Sequence, residues 1–246
     1  MSFKMGIYFF LSLMYRQNTM FSRSEPLLGK AFYKILENKT VCLFGLGGVG
    51  GYVAEILVRS GIKHLILIDG DTVEISNLNR QIIATHSNVG RLKTECMRER
   101  LLDIAPDIHV SLISSFVLPE SKELSDIFSL HIDYVIDAID TITVKVEIAK
   151  QCEKNNIPII CATGCGNRLT AEYRFEDIYK TNYCPVCRIL RKLLKEANVS
   201  SLKVLYSPTK TYSGKTVASV PWTPAIAGIM IGSQVIQDLL KKEKKA

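Results

Sequence analysis

The sequence predicts an α/β fold in which a mainly parallel sheet carries helices on both faces. Three observations predict it. Short apolar runs alternate with segments of helical period along most of the chain. The first strand–helix junction carries the glycine run Gly45-Leu46-Gly47-Gly48-Val49-Gly50. The next apolar run ends on an acid, Asp69, about 20 residues further on. Strand, glycine turn, helix and acid-tipped strand in that order describe a βαβ unit of a Rossmann-like, doubly wound sheet.

Along the chain, residues 21–36 read as a leading helical segment, 41–44 as a short buried strand, 45–51 as the glycine turn and 52–60 as the helix it opens. Residues 65–68 form the second strand, and 89–104 have helical spacing that stops before Pro106. Residues 108–113 and 134–136 read as strands, 144–155 as helix and 157–161 as strand. After Gly166 the texture changes. Residues 207–216, rich in Ser, Thr, Pro and Gly, read as a flexible loop. Residues 225–240 read as a buried or interfacial helix, since Gln234, Gln237 and Asp238 interrupt it too often for a membrane span. The expected organisation is a nucleotide-binding core over 38–165 and a substrate-binding portion over 166–246, together one domain starting at residue 20.

At 246 residues the chain can bury a substantial core. A net charge of +7 admits a polyanionic partner without selecting one. The cysteine count is odd, seven, and most lie in apolar or helical stretches, which fits a reducing cytoplasm better than a disulfide scaffold. Residues 1–19 carry a short apolar run behind Lys4 with no small-residue cleavage site after it. The run is too short for stable membrane insertion and reads as an extension outside the fold; a peripheral membrane contact is the lesser alternative.

The glycine run carries chemistry. Gly45, Gly47, Gly48 and Gly50 let the backbone turn tightly and approach a phosphate, and the helix behind them offers unpaired N–H groups. Asp69 stands where an acid grips ribose hydroxyls. The turn alone suits a dinucleotide equally well. The residues beyond Asp69 favour splitting a nucleoside triphosphate: Asp69-Gly70-Asp71 leads into Ser76-Asn77-Leu78-Asn79-Arg80-Gln81, a cluster of donors able to stabilise departing pyrophosphate.

These motifs, with V-G-R-L-K at 89–93 and D-A-I-D at 137–140, make the chain resemble the E1-like adenylating superfamily of ubiquitin-activating enzymes and sulfur-carrier adenylyltransferases. The resemblance implies ATP and Mg²⁺ as cofactors. It assigns Asp69 to the ribose, and Asn77, Arg80, Gln81 and Lys93 to the phosphates beside Asp71. It gives Asp140 to Mg²⁺, with a simple cap of the helix behind it as the lesser reading. Arg23, in F-S-R-S-E at 21–25, is similar to an arginine that reaches the partner's ATP in a homodimer. G-N-R-L at 166–169, D-I-Y-K-T at 177–181, L-K-V-L-Y-S at 202–207 and P-A-I-A-G at 224–228 extend the likeness to the branch of tRNA threonylcarbamoyladenosine dehydratases. That branch implies ATP-dependent cyclisation of the modified adenosine beside the anticodon, through an adenylated carboxylate. The alternative is an adenylyltransferase for a ubiquitin-like sulfur carrier; a sulfur-relay partner stays open.

Two further features remain. Arg188, Arg191, Lys192 and Lys195 recur at helical spacing, with Ile189, Leu190, Leu193 and Leu194 expected on the opposite face. The stripe is a candidate surface for tRNA phosphates, with Tyr179, Tyr183 and Tyr206 as candidate stacking partners for bases. Cys184-Pro185-Val186-Cys187 is half of a zinc motif; no second pair comes after it, and Cys161 and Cys165 complete four ligands only at an unusual spacing. Zinc is therefore not expected.

Overall fold

The computed structural model describes residues 19–212 and 218–243; the expectations for the leader, for part of the 207–216 loop and for the last lysines fall outside them. Seven strands form one sheet in the order β3-β2-β1-β4-β5-β7-β6. β1 (Thr40–Phe44), β2 (His64–Ile68), β3 (His109–Ile113), β4 (Tyr134–Asp137), β5 (Ile159–Ala162) and β7 (Lys203–Tyr206) pair in parallel. β6 (Arg174–Asp177) runs antiparallel to β7 at one edge.

Alternation along β1 divides the core. Val41 and Leu43 face one side, packed with Leu57, Met97, Ile231 and Val235. These come from α3 (Gly50–Arg59), α4 (Lys93–Ile104) and α8 (Trp222–Glu243). Cys42 and Phe44 face the other, packed with Leu124, Phe128 and Ile148 of α5 (Lys122–Phe128) and α6 (Ile142–Lys154). A third cluster seats Leu190 and Leu194 of α7 (Pro185–Glu196) against Val204 and Tyr206 of β7. Burying strands on both faces is what makes them read as unbroken apolar runs.

β1 is followed by its crossover to β2 on one side, whereas β4, its other neighbour, leads away to β5. The chain thus diverges between β1 and β4, and a crevice opens at their carboxyl ends.

The leading segment is two short helices, α1 (Glu25–Leu28) and α2 (Lys30–Leu36), broken at Gly29. The helix expected from residue 89 begins at Lys93, because Leu92 pairs with Thr72 in an isolated bridge and Val73 N–H donates to Arg91 O. α5, β6 and β7 were not signalled by the sequence. Among the described residues no helix is long and apolar enough to cross a membrane.

Candidate active site

The crevice is a cleft of about 370 Å³ lined by the glycine turn and by the loops after β2, β3 and β4. Its floor is set by close backbone packing. Gly45 adopts φ +89°, and a Cβ on Gly50 would lie 1.8 Å from Gly45 O. Only glycine permits that turn. No side chain caps α3, whose N-terminus faces the turn as an anion site does, although the Gly51 N–H donates to Gly47 O at 3.2 Å. Asp69 holds the turn in place: Leu46 N–H donates to Oδ2 at 2.7 Å and Asp71 N–H to Oδ1 at 2.8 Å. Burial pushes the Asp69 carboxyl above the usual range, with the Leu46 N–H and Lys93 opposing. Each oxygen keeps a second acceptor site for a hydroxyl.

Gly47, Gly48, Asp71, Asn77, Arg80, Gln81, Lys93 and Asp140 all line this cleft with Gly45 and Asp69; Gly50 supports it from beneath. Lys93 is the first residue of α4, buried, with Nζ 2.7 Å from Asp71 Oδ2. Arg80 is aimed by two acceptors: its Nη1 donates to Ser76 O at 2.8 Å and Asn79 Oδ1 at 2.9 Å. Asn77 is buried, its Oδ1 taking the Glu74 N–H. Gln81 is buried with Oε1 unpartnered. Asp140 does not cap α6, whose N-cap is Thr141. It stands exposed on the lip, where, among the described residues, the Thr141 hydroxyl donates to it at 3.5 Å. A carboxylate without a cationic partner, facing the phosphate loop, is a fitting hard-oxygen donor for Mg²⁺, which takes its other oxygens from phosphates and water.

Two features of the cleft carry no sequence motif. Phe116, 69% exposed, stands at the carboxyl end of β3 and packs over Gly70, where a Cβ would meet its ring at 2.8 Å. Beneath the cleft, Lys145 Nζ pairs with Asp137 Oδ1 at 2.9 Å and donates to Ala162 O at 3.1 Å, both side chains fully buried. Burial pulls the Lys145 ammonium down, but Asp137 outweighs it and the group is held above its usual range. The pair ties the ends of β4 and β5 under the loop that carries Asp140.

Arg23 lies elsewhere. It is exposed, and its neighbour Phe21 stacks on Tyr33 and abuts Gly61, just past the far end of α3. α3 separates Gly61 from the chain's own phosphate loop by about 15 Å.

In the second half, Arg188, Lys192 and Lys195 are exposed on α7. Arg191 departs from the expected stripe: its guanidinium turns inward and donates to Ile178 O and to Thr181 O and Oγ1. Ile189, expected on the apolar face, is exposed. Tyr206 is buried in the third core cluster and cannot stack on a base. Tyr179 donates its hydroxyl to Val199 O and lies under Lys195. Tyr183 is 80% exposed. All seven cysteines are unpaired, and among the described residues no three His, Cys, Asp or Glu side chains are grouped to hold a metal.

Known proteins agree with this geometry. Residues 21–246 match the ThiF family. A tRNA threonylcarbamoyladenosine dehydratase of Bacillus subtilis is 36% identical over 242 residues, 90% of this chain and 94% of the relative. One from Haemophilus influenzae is 34% identical, covering 85% and 88%. The solved structure of the E. coli tRNA N6-threonylcarbamoyladenosine dehydratase in complex with ATP superposes with a TM-score of 0.86 at 29% identity, covering 92% of this chain and 96% of that one. The matched span takes in the glycine turn, the cleft and the α7 face alike, and the chain belongs to the ThiF family.

Proposed function

We propose that this protein is an ATP-dependent tRNA threonylcarbamoyladenosine dehydratase. The reading rests on one conjunction. A triphosphate-sized cleft at the switch point is rimmed by Lys93, Arg80 and Asp140, in a chain similar to dehydratases across both halves.

ATP binds with its ribose on Asp69 and its phosphates on the Gly45–Gly50 turn. Phe116 offers a face to the adenine. The carboxylate of the threonylcarbamoyl group attacks the α-phosphorus and pyrophosphate leaves. Asn77, Arg80 and Lys93 stabilise the charge that develops on it. Bound magnesium supplies charge neutralisation of the phosphates, and Asp140 is the residue to hold it. The resulting acyl-adenylate has AMP as a good leaving group. A nucleophile on the same nucleoside displaces it, so high effective concentration replaces a separate acceptor and no thioester cysteine is needed. The net change is loss of one water.

The exposed Arg188, Lys192 and Lys195 face receives tRNA phosphates. The active unit is a homodimer in which Arg23 serves the partner's cleft: its distance from its own cleft supports this, as do exposed Leu27, Leu28, Trp222, Ile226 and Ile229. Unpaired thiols suit a reducing cytoplasm.

The test is incubation with ATP, Mg²⁺ and tRNA carrying the modified adenosine, followed by mass analysis of the nucleosides. Loss of one water supports the reading. An unchanged nucleoside, with adenylate formed instead on the carboxyl terminus of a sulfur carrier protein, would replace it.

A further inference from the structure

Cys184 and Cys187 play no part in adenylation, yet their surroundings are not those of inert core thiols. Cys184 is the N-cap of α7, and its sulfur accepts the Cys187 N–H at 3.5 Å. Cys187 lies one helical turn on, its sulfur 3.2 Å from Thr163 Oγ1. Across from them is Arg168, 3% exposed. Its donors reach only neutral oxygens: Gly164 O at 2.8 Å, Thr209 O, Thr209 Oγ1 at 2.7 Å and Ser207 O at 3.4 Å. Among the described residues no carboxylate pairs with it, although a buried cation needs an anion nearby.

Gly164 supplies the corner between the two. With φ +60°, a Cβ there would lie 2.9 Å from Cys184 Sγ and 3.9 Å from Arg168 Nη2. The sulfur and the guanidinium therefore meet around a position kept free of a side chain. A backbone N–H of the first turn of α7 donates to the Cys184 sulfur, and a guanidinium without a carboxylate partner stands across Gly164 from it, a setting that favours a thiolate.

We propose that Cys184 is a reactive thiolate, with Arg168 as its counter-ion and Cys187 as its resolving thiol, and that its substrate class is the hydroperoxides. Titration behaviour agrees. The Cys187 hydrogen bond, the helix N–H groups and Arg168 hold Cys184 well below the usual thiol range, whereas its bond to Cys184 holds Cys187 above it. Burial pushes Cys42, Cys96, Cys152, Cys161 and Cys165 upward, so Cys184 is distinguished from every other thiol.

The chemistry balances. The Cys184 thiolate attacks one oxygen of the peroxide; the O–O bond breaks, hydroxide leaves and Cys184 becomes a sulfenic acid. Cys187 then attacks the Cys184 sulfur, hydroxide leaves from it, and the Cys187 proton and one from solvent convert both hydroxides to water. Two thiols are oxidised and one hydroperoxide is reduced. Hydrogen peroxide is close to water in size, so it reaches a sulfur that is 3% exposed.

The experiment treats the folded protein with equimolar hydrogen peroxide at neutral pH, blocks remaining thiols and maps the peptides by mass. The expected product is peptide 181–188 lacking two hydrogens, formed ahead of oxidation at any other cysteine. In Cys187→Ser, a dione probe should trap sulfenic acid on Cys184. Alkylation of Cys184 in the unaltered protein should be half-maximal at a pH well below the ordinary thiol range, because the thiolate persists above its lowered pKa and is lost below it. Arg168→Met should move this midpoint up by about 1 unit or more. Oxidation falling first on Cys165 or Cys96, or an alkylation midpoint in the ordinary thiol range, would overturn the proposal. Neither readout depends on the adenylating function.

Discussion

The cleft at β1 and β4 and the outer face of α7 are both suited to phosphate, and they differ in what holds the ligand. In the cleft the backbone does it: Gly45 at positive φ, Gly50 against Gly45 O, and Asp69 accepting the Leu46 N–H of the turn and the Asp71 N–H of its own loop. On α7 the cations stand in solvent, with Lys192 making only a long ion pair of 3.9 Å to Glu196. A phosphate held for reaction at one atom requires a shaped turn. Phosphates held along a polymer require charge at roughly the right spacing. The first demand leaves a specific mark in sequence; the second leaves a pattern shared with any solvated helix.

The largest effect that separates the two regions is at Lys93. Lys93→Ala should lower ATP–pyrophosphate exchange by about 10² to 10³, the usual result of removing one preorganised donor. Stability should change little, since its partner Asp71 is half exposed and can be solvated. RNA affinity should also stay as it was. A matched fall in both exchange and RNA binding would show that the regions are not separable in this way.

Beneath the cleft, Lys145 extends the contrast from ligand to scaffold. Lys145→Met leaves Asp137 buried and unpaired, with Oδ2 already lacking a partner. Chemical denaturation should report a loss of about 3–5 kcal/mol. Adding Asp137→Asn removes the stranded charge and should recover most of it. If the double variant is as unstable as the single one, the pair's worth lies in packing and not in charge.

How far these features could be read in advance obeys the same division. β1, β2, β4 and β5 are legible because burial on both faces makes continuous apolar runs, and the glycine turn because steric limits leave no other residue there. β6 was hidden: an antiparallel edge strand reading Arg174-Phe175-Glu176-Asp177 has the charged texture of a loop. α5 is only seven residues long, too short to declare a helical period. In the site, Arg80, Lys93 and Asp140 stand out through their motif. Phe116 and Lys145 do not, since an aromatic after a strand and a lysine on a helix are ordinary until the topology brings them to the cleft. Tyr206 and Tyr183 show the same gap: one is buried and one exposed, and nothing in their flanking residues sorts them.

The finest distinction lies within α7, where Arg188 and Arg191 are three residues apart and look equivalent in sequence. Reversing charge at Arg188 and Lys192 should weaken RNA binding and shallow its salt dependence. Every phosphate left without its cation should take about 0.7–0.9 off the log–log slope, with pyrophosphate exchange unaffected. Arg191 should behave otherwise. Its guanidinium is committed to the carbonyls of Ile178 and Thr181, which close the turn leading into α7. Arg191→Met should therefore leave the salt slope nearly unchanged while lowering stability by about 1–3 kcal/mol, the cost of leaving Thr181 O without its donor; Ile178 O keeps the Thr181 N–H and hydroxyl. Equal salt slopes for Arg188→Met and Arg191→Met, with equal melting temperatures, would mean that the inward geometry of Arg191 is not maintained in solution. In that case the whole stripe would belong to the RNA.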